Sequence, residues 1–233
     1  ALGGAEVLLL TGAGLLIAPL LVRNRGHRAV FALASGMGNM GFTMGGFVVY
    51  VLYGESGLGL VSVLTLMWTP MIVLALYPLA RHYSPREPGG GLGRLLLRTL
   101  FDYRSIGLPV MIAAILLSRF GPPRPGLVER LGVVDALMFL TVATAYFSIG
   151  LRLRAGRAWA YRRIVAALAG VRFLLAPLLG LALVSLTQLT PLPLSPLARN
   201  VFLIESLIPP AITMVAIANM FRLGPRLASL LFV

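Results

Sequence analysis

Apolar residues come in long runs along this chain, and short gaps between the runs hold nearly all of its charge. Eight runs can be read: 3–22, 28–53, 57–80, 104–120, 130–151, 162–186, 198–221 and 225 to the end. Most approach the roughly 20 residues that a helix needs to cross ~30 Å of hydrocarbon. The fourth is marginal and the eighth is short. The pattern predicts an all-α polytopic membrane protein with about eight membrane segments.

Two runs carry interruptions. "ASGMGNMGFTMGGF", from Ala34 to Phe47, sets Asn39 and Thr43 among Gly36, Gly38, Gly41, Gly45 and Gly46. Glycine weakens a helix interior, and an amide is costly in hydrocarbon. Asn39 lies eleven residues past Arg28, which at 1.5 Å per residue is ~16 Å, near the midplane. In "ARNVFLIESLIPPAITMVAIANMF", Pro209 and Pro210 come ten and eleven residues past Arg199. A double proline removes two backbone donors and clashes with preceding carbonyls, so a second break is expected at a similar depth.

Composition supports the membrane reading and charge orients it. The 233 residues are 58% hydrophobic and 12% charged, against about 25% charged in soluble domains. A net charge of +13 would suit nucleic acid, but the twenty basic residues, all arginine, are dispersed through the gaps. Anionic headgroups account for them, and nucleic acid is not an expected partner. Fifteen arginines fall in odd-numbered gaps and four in even ones, with Arg172 inside a run. Odd gaps should therefore be cytoplasmic and the N-terminal end outside. The two breaks are then approached from opposite leaflets.

That opposition is the signature of an inverted repeat. Arg28 and Arg199 open the two interrupted runs, Ser35 and Ser206 follow seven residues on, Asn39 and Pro210 eleven on, and Gly54 and Gly224 close them. Runs one to three would mirror runs six to eight. Mirror partners for runs four and five would precede Ala1, giving an expected ten helices in two sets of five. The chain lacks an initiator Met and stops within the apolar "LASLLFV", so both ends are expected to be cut. Residues 1–80 would hold the last three helices of the first repeat, 81–103 a cytoplasmic linker, and 104–233 the second repeat. Within the linker "SPREPGGG" reads as flexible. "LGRLLLRTLFDYR" is either a helix lying on the inner interface or a tilted early start of the fourth run.

Irregular backbone at membrane depth is tolerated only where it is buried in protein or lines a cavity. Two interrupted helices crossing there place half-helix ends at a solute site, and the N-terminal ends favour an anion. The expected substrate-binding residues are Gly38, Asn39, Gly41, Thr43, Ser206, Pro209, Pro210 and Thr213. Glu205, ~9 Å in from the outer side, is a candidate proton carrier or cation ligand, or a structural partner of Arg172, ~13 Å in from the other side. Asp135 lies near the outer end of the fifth run and reads first as solvated at the interface, second as a coupling group. His27 and His82 both fall in gaps without a ligand cluster, and cysteine is absent, so no metal site is expected. No intramembrane catalytic set is visible, and an enzyme is not expected.

Taken together, "GNMGFTMGGFVVYVLYGESGL", "YRSIGLPVMIAAILLSRFGPPRPGLVERLGVVDALMFLTVATAYFSIGLRL" and "IESLIPPAITMVAIANMFRLGPRLASLLFV" resemble the auxin efflux carrier family, within the larger group that includes bile acid sodium symporters. The resemblance implies an inverted-repeat bundle with two broken crossing helices. It implies a secondary active permease moving a small organic anion by an elevator mechanism, with H+ or Na+ as coupling ion and no other cofactor. Asn39 and Gly41 match its first crossover and Pro210 its second; Gly46 stands where the family often has proline. The alternative it leaves open is a sodium-coupled bile acid-type symporter. The expected setting is a prokaryotic inner membrane, multi-pass, with the lipid bilayer and a second copy in a homodimer as the other partners.

Overall fold

The computed structural model describes residues 2–41, 44–85, 92–122, 126, 131–150, 159, 161–191 and 193–232. Thr43, residues 86–91 of the expected linker, and Arg124, Arg130, Arg152, Arg154 and Arg157 lie outside them. Among the described residues the chain is helical, with no strand.

Helix α1 (Leu2–Leu21) turns at Val22–Asn24 into α2 (Arg25–Gly36). Asn24 caps α2, its Oδ1 accepting from the His27 N–H at 3.1 Å. The connection is three residues long, so the two helices lie antiparallel. They approach closely because their facing residues are small. A Cβ on Gly14 would lie 2.8 Å from Ser35, and one on Gly36 would strike the Thr11 hydroxyl. Small residues at a helix contact let backbones approach and gain dispersion where no hydrophobic force acts between helices.

The second run is two helices. After α2 comes α3 (Gly45–Thr65), and the described residues between them, 37–41 and 44, are not helical. The gap expected around Glu55 is reduced to a kink inside α3, where Gly54 takes φ 61° and ψ −152°. A single glycine in that region redirects a chain at low steric cost, so no loop is needed. The third run is itself divided into α4 (Trp68–Met71), a π-helical turn (Ile72–Leu76) and α5 (Tyr77–Tyr83).

The fourth region settles one open choice. Helix α6 (Leu92–Leu100) is separate from α7 (Gly107–Phe120), with a 3₁₀ turn at Tyr103–Ser105 between them. An early start of the fourth run is therefore not realised. Two contacts fix the bend: Ser105 Oγ donates to the Thr99 carbonyl at 2.6 Å, and Asp102 pairs with Arg81 of α5. Helix α8 (Val133–Gly150) follows.

The remaining chain forms α9 (Arg162–Gly170), a second π-helical turn (Val171–Leu175), α10 (Ala176–Gln188), α11 (Pro196–Ser206), α12 (Ile212–Met220) and α13 (Pro225–Phe232). Each π turn directly precedes a helix with proline in its first turn, Pro78 and Pro177. Proline lacks the donor and crowds the carbonyl four residues back; a widened turn relieves both.

Helices α2 and α11 repeat one design. Ser195 caps α11 through the Ala198 N–H at 3.2 Å, as Asn24 caps α2. Seven residues after each cap is a buried phenylalanine, Phe31 and Phe202, and four later a serine. Ser35 Oγ and Ser206 Oγ each donate to that phenylalanine's carbonyl at 2.9 Å. Each serine also packs against a glycine of the preceding helix, Gly14 on α1 and Gly180 on α10.

Two apolar clusters hold these pieces together. The larger gathers α1, α2, α5, α9, α12 and α13 around Leu10, Phe31, Leu33, Met214 and Phe221. A smaller one, Val49, Val61 and Val201, seats α11 on α3. The outside is equally apolar: Leu16 is 79% exposed, Leu20 84% and Val63 68%. Each such side chain forgoes about 1.5–3 kcal/mol in water; hydrocarbon removes that penalty. Three stretches, Leu2–Leu21, Gly45–Tyr83 and Arg162–Gln188, are long and apolar enough to cross a membrane.

Candidate functional site

The two breaks meet. Gly38 and Pro210 pair as an isolated antiparallel bridge. The Asn39 N–H donates to the Pro209 carbonyl at 2.8 Å, and the Ala211 N–H to the Met37 carbonyl at 2.7 Å. Exchanging 37, 38 and 39 with 209, 210 and 211 maps one bond onto the other, so the pair has a local two-fold axis. In this register residues 38 and 210 make no bonds of their own across the pair. Pro210 therefore loses nothing by lacking an N–H. The spacing across the axis is one residue longer than that relating Ser35 to Ser206, because α11 takes an extra residue to reach the bridge.

Ends of like sign gather here. Helices α2 and α11 bring their C-termini, with carbonyls that have no helical partner. Arg172, in the π turn before α10 and 0% exposed, occupies that position. Its Nε donates to the Ile208 carbonyl at 3.0 Å and one terminal nitrogen to the Ser35 carbonyl at 3.3 Å; the other also reaches Ile208. One guanidinium thus ties both broken helices together, with its charge at two negative dipole ends. Gly38 makes room for it, since a Cβ there would overlap the guanidinium.

The expected Glu205–Arg172 ion pair is not formed among the described contacts. Arg172 spends its donors on carbonyls, and Glu205 turns towards the N-terminus of α3. A Cβ on Gly45 would coincide with the Glu205 carboxylate and with Ile208 Cδ1. The Gly41 N–H also faces this carboxylate without reaching hydrogen-bond geometry. Gly41 itself sits at φ 82°, a conformation open to glycine, and its carbonyl accepts from Gly46 at 2.5 Å.

A further acid belongs to this cluster. Glu6 of α1 is 0% exposed and Glu205 1%, and among the described residues no carboxylate oxygen of either has a hydrogen-bond partner. Glu6 faces the Ser206 hydroxyl and acts electrostatically on both Arg172 and Glu205. The signal for it was present. Counted from the outer end of its run, Glu6 lies ~6 Å deep, close to the ~9 Å of Glu205, so two carboxylates share one layer.

Other expected site residues fall as follows. Pro209 is half-buried and Pro210 buried, both in the crossing. Asn39 is buried there too. Ser206 ends α11, and Thr213, half-buried, lies in the first turn of α12. Asp135 lies in the first turn of α8, away from both breaks in the chain.

Two cavities bear on the site. One of about 10 Å³ lies beside Glu205, lined also by Gly3, Met40, Leu64, Thr65 and Phe202. It is smaller than any organic solute. The other, about 670 Å³, lies at the opposite end of α2 and is lined by Arg25, His27, His82, Tyr83, Arg222 and Gly224, among others. Two arginines and two histidines make its lining basic. No metal-holding group of histidines and acids occurs among the described residues.

Comparison with protein-family models, with curated proteins and with solved structures finds no match to this chain.

Proposed function

We propose that the chain is the core of a secondary active transporter, an auxin efflux carrier-like permease for a small organic anion. Its site would be the crossing of the two broken helices, in an inverted-repeat bundle spanning a prokaryotic inner membrane many times. The observation that carries this reading is the two-fold backbone pairing of Met37–Asn39 with Pro209–Ala211. A soluble fold has little reason to break two apolar helices and join the breaks, whereas a carrier needs half-helix ends at mid-depth.

The charges favour an anion at one end in particular. The N-terminus of α3 already faces Glu205. That of α12, beginning at Ala211–Thr213, has no side-chain cap and is the positive end left for a substrate carboxylate. The basic cytoplasmic cavity would gather anions before they reach it. The void beside Glu205, about 10 Å³, would not admit an organic anion, so binding would need a rearrangement of the kind an elevator motion supplies.

Thermal unfolding of the full-length protein with a panel of small mono- and dicarboxylates tests the reading. A subset should raise the midpoint in the wild type and lose that effect in Asn39→Ala. A shift retained in the variant removes the crossing as the site. No shift with any anion, together with no anion exchange in proteoliposomes, removes the transport reading.

A further inference from the structure

Two buried acids and one buried arginine do not balance. Arg172 carries one positive charge and Glu6 and Glu205 two negative ones, all at most 1% exposed. Among the described residues that remaining negative charge is not offset by hydrogen bonds, since the four carboxylate oxygens have none there. An uncompensated charge in an apolar interior costs many kcal/mol, and such a group takes up a proton or a cation instead. We infer that Glu6 and Glu205 together hold one exchangeable proton, and that this pair is the coupling site of the carrier proposed above.

The local geometry suits a proton better than a metal cation. Hard cations collect several oxygen ligands. The void beside Glu205 is about 10 Å³, and among the described residues Thr65 is the one other lining side chain that bears oxygen, too few ligands for such a cation. At Glu6 the chemistry favours a protonated acid over a bare carboxylate. Ser206 commits its hydroxyl proton to the Phe202 carbonyl, so towards Glu6 it offers a lone pair, which an acid O–H can use and a carboxylate cannot.

The pair differs internally as a carrier would require. Glu205 faces the positive end of α3, and Glu6 faces Arg172, so each carboxylate has one feature that tolerates its charge. They repel each other, so both cannot ionise together without cost and the proton belongs to the pair. No other described charge intrudes. Arg25, His27 and Arg28 lie at the far end of α2, Glu55 is exposed beyond the Gly54 kink of α3, and Arg199 opens the outer end of α11. The step is transfer of a proton from hydronium on one side to one carboxylate, one O–H bond breaking as the other forms, followed by the reverse transfer to water on the other side. Glu205 sits on the broken helix α11 and touches α3, so motion of either helix alters its surroundings.

Infrared titration of the full-length protein in lipid nanodiscs reads the proton directly, without a substrate. A carbonyl stretch of a dehydrated carboxylic acid is expected at neutral pH, sensitive to deuterium exchange and equal in sodium and choline buffers. Glu6→Gln or Glu205→Gln should remove or shift it, and the double variant should abolish it. A wild type with no such band, a band that sodium bleaches, or a band surviving in the double variant overturns the inference. The first two outcomes need no variant, so poor folding of a variant leaves the test intact. If the band titrates while no anion exchange is found, transport is lost and the proton site stands. If exchange is found without the band, the reverse holds.

Discussion

At the scale of single residues, the crossing depends on where side chains are missing as much as where they are present. Gly45 lies so close to Glu205 and Ile208 that Gly45→Ala must push the acid away from the end of α3. Overpacking of this kind costs about 1–3 kcal/mol, read as a lower midpoint of thermal unfolding. Gly12, with open space around it, provides the control: Gly12→Ala should match or slightly exceed the wild type. Arg172→Met strands the Ser35 and Ile208 carbonyls and leaves the acids without their cation, an expected loss of about 3–5 kcal/mol. His27 gives a pH signature outside the apolar interior. Burial against Gly224 pushes its imidazole below the usual 6.5. The unfolded chain then takes the proton first, so stability is full above that value and falls as pH drops through the window beneath it. His27→Gln should flatten this part of a stability–pH curve.

At the scale of elements, legibility tracks how local the cause is. Both breaks could be read because glycine and proline act on their own backbone: Gly36–Gly46 and Pro209–Pro210 interrupt a helix whatever surrounds them. The repeat of cap, phenylalanine and serine in α2 and α11 was partly legible through Ser35 and Ser206, again a local matter. The role of Arg172 was not. It bonds Ser35 and Ile208, which lie 137 and 36 residues away in the chain, and spacing cannot foretell that a guanidinium prefers two carbonyls to a carboxylate. Glu6 was readable as an acid within an apolar run, but that it shares a cluster with Arg172 and Glu205 arises only once α1, α11 and the π turn meet. The Gly54 kink replaced an expected loop because one residue can do the work of three. The pairing of the breaks can be tested by Ala211→Pro. Ala211 has φ −75° and ψ 145°, which proline accepts, so the change chiefly deletes the N–H that bonds Met37. Leaving that buried carbonyl unpaired should cost about 1–3 kcal/mol. Equal stability of the variant would mean that the bridge contributes nothing to holding the two halves.

At the scale of the whole molecule, the two-fold crossing and the arginine distribution are independent lines that must agree. The crossing is a matter of backbone geometry; the orientation comes from fifteen arginines in odd gaps against four in even ones. If the breaks are entered from opposite leaflets, the start of α2 and the start of α11 lie on opposite sides. The chain has no cysteine, so single cysteines report without background. Arg23→Cys, just before α2, should resist a membrane-impermeant maleimide in intact cells and react after the membrane is opened. Thr190→Cys, before α11, and Glu55→Cys, exposed beside the Gly54 kink, should react in intact cells. Arg94→Cys on α6 should behave like position 23 if that helix lies against the cytoplasmic face. Labelling of positions 23 and 190 from the same side would place both broken helices in parallel. A local two-fold axis lying in the membrane plane would then be impossible, and the inverted repeat with its alternating access would go with it.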